Sequence, residues 1–386
     1  MEYWENPAKK KRSHSKKYKA LTMILLKNID IDSIDELRNA VQTAIELEHS
    51  TIPPYLTANF TLSNTGNDDI SNLIGSIVGE EMLHLSIACN LLNAIGGSPV
   101  LNKPGFVPTY PGPLPGSVDT GLIIPLAKFS LALVKDKFMA IEEPEDPIHI
   151  KLLAKTEADS LTIGQFYAKI KNMIETLEAA ANKEGSTIFT GDPKNQMTFA
   201  KFFPEKLLFP ITNKAEAFRG INIIVDQGEG TTTNPFVNPD DTSDGATPDP
   251  AHYYRFEEIY KGKTLVQDPK TKVYSYSGAP IPFNDALIPN MRENPKMNDY
   301  PKDSLAYVNS KFFNYNYTSL LNSLHRTFNG EPEQINASMG LMFALRLYAL
   351  KLLAIPDPNH PGYFAGPSFE YVVEADLSEA EKAIFV

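Results

Sequence analysis

Glu81 and His84 stand three residues apart inside the apolar run from Ile70 to Ile95. On a helix this spacing puts both side chains on one face. The face is the buried one. Ile70, Ile74, Ile77, Glu81, His84, Ala88, Leu91 and Ile95 follow a 3-4 alternation, so a carboxylate and an imidazole replace two core residues. Burying a charge is costly unless it is paired or bound to a metal. A Glu-x-x-His pair aimed into a helical core is the half-site of dinuclear carboxylate centres in four-helix bundles. A solvated surface pair and a buried structural Glu–His hydrogen bond are the alternatives, and the apolar register disfavours the first.

A second acid falls on a core face one helix earlier. Ser33 and Glu36 have capping-box spacing at the start of a helix over 33–62. Its inward line reads Leu37, Val41, Ala44, Glu48, Thr51 and Tyr55. Pro53-Pro54 removes backbone donors beside Glu48, which predicts a kink there. Asn64-Thr65-Gly66-Asn67 makes a short turn, and the following helix, 68–95, stops at Gly96-Gly97. The two helices form an antiparallel pair. Glu48 lies about as far before the turn as Glu81 lies after it, so both acids meet at one level.

Further elements must complete the bundle. Residues 99–125 are rich in Pro and Gly and read as a long irregular crossover. A third helix covers about 156–181, with a capping box at Thr162 and Gln165 if it starts later. Its apolar line is Ile163, Phe166, Ile170, Met173 and Leu177, with Asp159 one turn earlier. A fourth helix, 213–227, ends at Gly228-Glu229-Gly230. The tract 231–250 reads as a flexible loop from composition alone. A short helix at 252–261, a β-hairpin around Asp268-Pro269-Lys270-Thr271, and helices at 302–328 and 332–353 follow. The last is apolar over most of its surface, which predicts a central position. The fold class is therefore mainly α: a four-helix bundle with additional C-terminal helices, long loops and a small hairpin. Its expected boundaries are a basic arm and lead-in over 1–32, one domain over 33–370, and a tail over 371–386.

Composition bounds the function. A net charge of −11 excludes a general nucleic-acid binder. The local run Lys9-Lys10-Lys11-Arg12 reads as a solvated arm. Cys89 is the sole cysteine, so no intramolecular disulfide can form. No stretch approaches the ~20 apolar residues that span a bilayer, and no signal-type leader is legible. The expectation is a cytoplasmic protein without membrane or nucleic-acid partners, of unassigned oligomeric state.

The stretch 44–56, containing Glu48, Pro53-Pro54 and Tyr55, resembles the opening motif of the ferritin-like domain of iminophenyl-pyruvate dimer synthases, enzymes of violacein and rebeccamycin biosynthesis. Glu80-Glu81-Met82-Leu83-His84-Leu85, followed by 90–97, is similar to the second motif of that domain. Residues 162–167, 227–230, 252–256 and 328–330 resemble later ones, in order. The resemblance implies a ferritin-like helical core and a non-haem metal site in a stand-alone member. It does not carry the whole synthase reaction across. The pathway enzymes are much longer, their coupling activity is associated with haem, and no axial-ligand motif is seen here.

A dinuclear site needs about four carboxylates and two histidines. Glu48, Glu81 and His84 fill one half. No Glu-x-x-His occurs on the third or fourth helix, so the second half is assigned to Glu229, at a helix end, and His252. Asp159 is the third-helix acid in the best register, with Glu157 and Gln165 less well placed. Glu46 and His49 share the Glu-x-x-His spacing but lie off the apolar line, which suggests a supporting or surface role. Tyr55 and Tyr167 fall near the level of the site. The expected cofactor is iron, two ions, with mononuclear iron or manganese left open. The expected activity is a metal-dependent oxidoreductase or oxygenase of specialised metabolism, with a small organic substrate and dioxygen as partners. Oxidative coupling of imino-arylpyruvates and a metal-binding protein without turnover are the other readings.

Overall fold

The computed structural model describes residues 26–27, 31–63, 65–116, 122–144, 160–198, 202–230, 234–236 and 248–379. The basic arm, Asp159, Glu157, most of 231–247 and the end of the tail lie outside these residues.

Helix α1 (Ile34–Leu62) starts where expected. Ser33 accepts from the Glu36 backbone N–H, and Glu36 accepts from Asp32 N–H. Such a cap contributes about 1 kcal/mol. The whole inward line from Leu37 to Tyr55 is buried. The expected kink at Pro53-Pro54 does not interrupt the helix, which runs through both prolines. Pro54 cannot donate to the Ser50 carbonyl, and the Tyr110 hydroxyl donates to it instead, at 2.6 Å. The crossover that carries Tyr110 thus mends the helix from outside.

Helix α2 (Asp68–Ala94) returns antiparallel to α1, and every residue of its predicted stripe from Ile70 to Ile95 is buried. Gly96, with φ +74°, ends it in the left-handed conformation that glycine tolerates. After the crossover comes an interrupted helix that the spacing did not show. It consists of α3 (Leu131–Leu133), a π-turn over Val134–Phe138, and α4 (Met139–Ile141). The Met139 N–H reaches back five residues to the Val134 carbonyl.

Helices α5 (Ile163–Lys183) and α6 (Lys214–Gly228) pack on α1 and α2 and close the four-helix bundle. The Thr162/Gln165 capping box is formed. Helix α7 (His252–Lys261) lies against α2 and the π-turn. Strand β1 (Leu26–Lys27) pairs antiparallel with β2 (Ser160–Leu161), and β3 (Val266–Gln267) pairs with β4 (Tyr274–Ser275) as the expected hairpin.

Helices α8 (Leu305–Thr327) and α9 (Ile335–Leu353) form an outer pair. The expected central position of α9 is corrected here. Phe343 and Leu347 are 68% and 62% exposed, so its outward side is apolar and faces solvent. Apolarity around a helix signals burial only when a partner exists on every side. No described helix is long and apolar enough to cross a membrane.

Candidate metal centre

Two groups of ligand-type atoms meet inside the bundle. Glu48, Glu81 and His84 form one, and Glu81, Glu142 and His252 the other, each with its atoms within 4.8 Å of one another. All five residues are buried. Glu81 belongs to both groups, as a carboxylate shared between two ions would. Helix α1 supplies Glu48, α2 supplies Glu81 and His84, the end of α4 supplies Glu142, and the first turn of α7 supplies His252.

Both imidazoles are oriented alike. His84 Nε2 lies 3.0 Å from the Gln227 amide oxygen on α6. An amide oxygen only accepts, so Nε2 carries the hydrogen and Nδ1 faces inward, 3.4 Å from Glu48 Oε2. His252 Nε2 donates to Glu80 Oε2 at 2.8 Å, leaving Nδ1 at 2.8 Å from Glu81 Oε1 and 3.6 Å from Glu142 Oε2. His252 Nδ1 is crowded by the oxygens of two carboxylates. Two stacked rings, their centroids 5.4 Å apart, thus present basic nitrogens to three carboxylates. A histidine held from behind by an acceptor is the arrangement that fixes a metal-ligand tautomer.

The carboxylates are braced in turn. Tyr167 on α5 donates to Glu48 Oε1, and Tyr55 on α1 donates to Glu142 Oε1, both at 2.5 Å. Thr51 donates to Glu81 Oε2 at 2.9 Å. Glu80 also receives the buried Arg255 guanidinium, which bonds Ser76 and the Pro250 carbonyl as well. Burial raises the Glu80 carboxyl, but the His252 and Arg255 contacts outweigh it and bring it down to about 2. Burial, then the Glu142 charge, push Glu81 up. Burial alone would lower both histidines, yet the surrounding carboxylates hold His84 above its ordinary value and His252 well above it. Three buried acids and two buried imidazoles suit one or two divalent ions of the iron or manganese kind. His252 Nδ1, buried and crowded by two carboxylates, fits the role of a metal-ligand atom.

Four of the five residues expected at the site, Glu48, Glu81, His84 and His252, converge. Glu229 is set at the edge. It lines the same small cavity, but its Oε1 accepts from the Gly164 N–H at 2.7 Å and it joins neither ligand group. A Cβ on Gly164 would come within 2.8 Å of the Glu229 carboxylate, so glycine is required for this contact. Gln165 serves the α5 cap, and Glu46 pairs with Gln42. Glu142 is not legible from spacing. Its helix is too short to show a period, and the π-turn spoils what register there is. Glu80 and Gln227 stood inside quoted motifs, but their roles depend on partners far away in sequence.

Residues 41–261 match the Ferritin-like family, a span that contains every residue of both ligand groups. No curated protein matches the sequence. The fold is similar to that of a ferritin-like protein from Caulobacter vibrioides solved at 1.95 Å, with a TM-score of 0.55 and 22% identity, covering 88% of this chain and 99% of that one. The family match takes in more than half of the 386 residues, and the chain belongs to the ferritin-like family.

Proposed function

We propose that the chain is a metal-dependent oxidoreductase, with two iron ions held by Glu48, Glu81, His84, Glu142 and His252, that uses dioxygen to oxidise a small organic substrate. The observation that carries this reading is the pair of histidines whose Nδ1 atoms face shared carboxylates while Gln227 and Glu80 hold Nε2. Iron in such a site supplies redox equivalents and open coordination positions. The protein's own groups do the rest. Glu81 belongs to both ligand groups, Tyr167 and Tyr55 hold Glu48 and Glu142 in place, and Ile141, Ile163, Ile224 and Val225 line the small cavity beside them.

The cavity at the centre holds about 30 Å³, room for a diatomic gas or a water. An organic substrate therefore needs Glu229 to release Gly164 and open the edge of the site. That small cavity also supports a second reading, a ferritin-like metal protein without turnover. Oxidative coupling of imino-arylpyruvates draws support from the motif resemblance alone. Anaerobic loading with ferrous iron, followed by dioxygen, separates the first two. An oxidoreductase is expected to stop at about two irons per chain and to consume dioxygen repeatedly when a reductant is supplied. Uptake of many irons per chain, or one oxidation without turnover under every reductant tried, would count against the enzyme.

A further inference from the structure

The two imidazoles of the metal centre have unlike partners behind them. His84 Nε2 donates to the Gln227 amide oxygen at 3.0 Å, a neutral acceptor. His252 Nε2 donates to the Glu80 carboxylate at 2.8 Å. The same Glu80 oxygen, Oε2, receives the Arg255 guanidinium. Arg255 is buried, and its other nitrogens are tied to the Pro250 carbonyl and the Ser76 hydroxyl. This fixed cation keeps Glu80 an anion and holds its oxygen at His252. A hydrogen bond to an ionised acceptor is roughly twice as strong as one between neutral groups. Sharing the oxygen with Arg255 lessens its pull on the imidazole but leaves it above that of an amide. A carboxylate behind a ligand imidazole makes the metal-facing nitrogen more basic. His252 Nδ1 is therefore the stronger donor of the two.

The surroundings differ in the same sense. Glu48, Glu81 and His84, the whole of one ligand group, line the small cavity, and so does Glu229 at its edge. His252 of the other group is fully buried and lies outside that lining. The weaker imidazole thus stands on the accessible side of the centre, and the stronger one on the closed side.

We propose that the two metal positions are unequal: the Glu81, Glu142 and His252 group holds a permanent ion, and the Glu48, Glu81 and His84 group holds an exchangeable one. Glu80 and Arg255 are the positioning residues that set the difference, acting through His252. This inference rests on the metal-binding half of the function proposed above and is indifferent to whether dioxygen is turned over.

Anaerobic titration of the full chain with cobalt(II) at about pH 8, where protons compete least, tests this through visible absorption. Two variants each leave one ligand group whole: His84→Ala keeps the His252 group, and His252→Ala keeps the His84 group. Cobalt is expected to bind His84→Ala about tenfold or more tighter than His252→Ala. Adding Glu80→Gln is expected to weaken the His84→Ala protein by about 10–100-fold and to leave the His252→Ala protein unchanged. Gln227→Glu, alone, is expected to tighten the weaker of the two wild-type steps, which a merely structural role would not do. If the double variants do not fold, Glu80→Gln alone serves: the tighter step should weaken and the other stay. Equal affinities in the two single-group proteins, or a Glu80→Gln effect that is absent or spread over both groups, would overturn the proposal. So would the absence of bound cobalt. Failure of the oxidoreductase reading looks different: two unequal cobalt steps in a protein that, loaded with iron, never consumes dioxygen repeatedly.

Discussion

The Tyr167 hydroxyl donates to the Glu48 carboxylate across 2.5 Å, joining α5 to the ligand wall of α1. The phenol is pushed well above its ordinary pKa by burial and by the Glu48 charge, so it remains a donor at any working pH. Tyr167→Phe leaves the ring and removes the bond. Such a supporting partner typically accounts for 10–100-fold in metal affinity. Metal competition titration should show a loss of about that size with an unchanged thermal transition. Equal affinity would mean that Glu48 is held well enough by α1 alone.

Glu142 and Glu229 are distinguished by their partners, and metal content should follow. Glu142→Gln and His252→Ala are each expected to lower bound iron to about half, because each belongs to one of two ligand groups. Glu229→Gln is expected to retain the metal, since its carboxylate is engaged with Gly164. Elemental analysis with circular dichroism checks all three. Full metal in Glu142→Gln would remove that residue from the ligand set.

Metal uptake should release protons. Glu81 is raised by burial and by Glu142, and His84 and His252 are held above the ordinary imidazole value by their carboxylate neighbours. Glu81, raised to about 7, is partly protonated near neutrality, and an incoming ion must displace that proton together with any the raised imidazoles hold. Affinity for a divalent ion should therefore climb from about pH 6 to about pH 8, with about one proton or more released per chain near pH 7. Calorimetry in buffers of differing ionisation enthalpy reads this directly. A pH-independent affinity would show that the ligands are already unprotonated.

Glu258 on α7 offers a test away from the metal. Burial pushes its carboxyl up to about 7 from an ordinary 4.5, even though it accepts from Leu265 N–H at 2.6 Å. Between those two values the unfolded chain sheds a proton that the folded chain keeps. Stability therefore falls as pH rises from 4.5 to about 7, and the penalty is constant above that. Glu258→Gln can still accept from Leu265 and cannot ionise. Denaturant melts should show a flatter profile across that window and a more stable protein at alkaline pH. An unaltered profile would place the titration elsewhere.

The first half of the site was legible because it lies on two long helices. The line from Leu37 to Tyr55 and the line from Ile70 to Ile95 carry Glu48, Glu81 and His84 at core positions, and periodicity over many turns leaves little freedom. His252 was legible through motif resemblance and its place at a helix start. Glu142 was not, because three-residue helices on either side of a π-turn give no period to read. The misplaced α9 has a different cause. Its residues are apolar nearly all round, and composition cannot say whether a neighbour covers the side that bears Phe343 and Leu347.

The π-turn at Val134–Phe138 makes the second half of the centre a matter of counting. One residue more than an α-helix would use is accommodated there, which turns everything downstream by about 100°. Glu142 is aimed at Glu81 through that extra residue. Loss of a single codon within 135–137 would restore an unbroken helix and swing Glu142 aside, with every ligand still present in the gene. The centre is thus exposed to a frame-preserving deletion in a segment that bears none of its ligands, and inspection of the ligand residues alone would pass such a variant as intact.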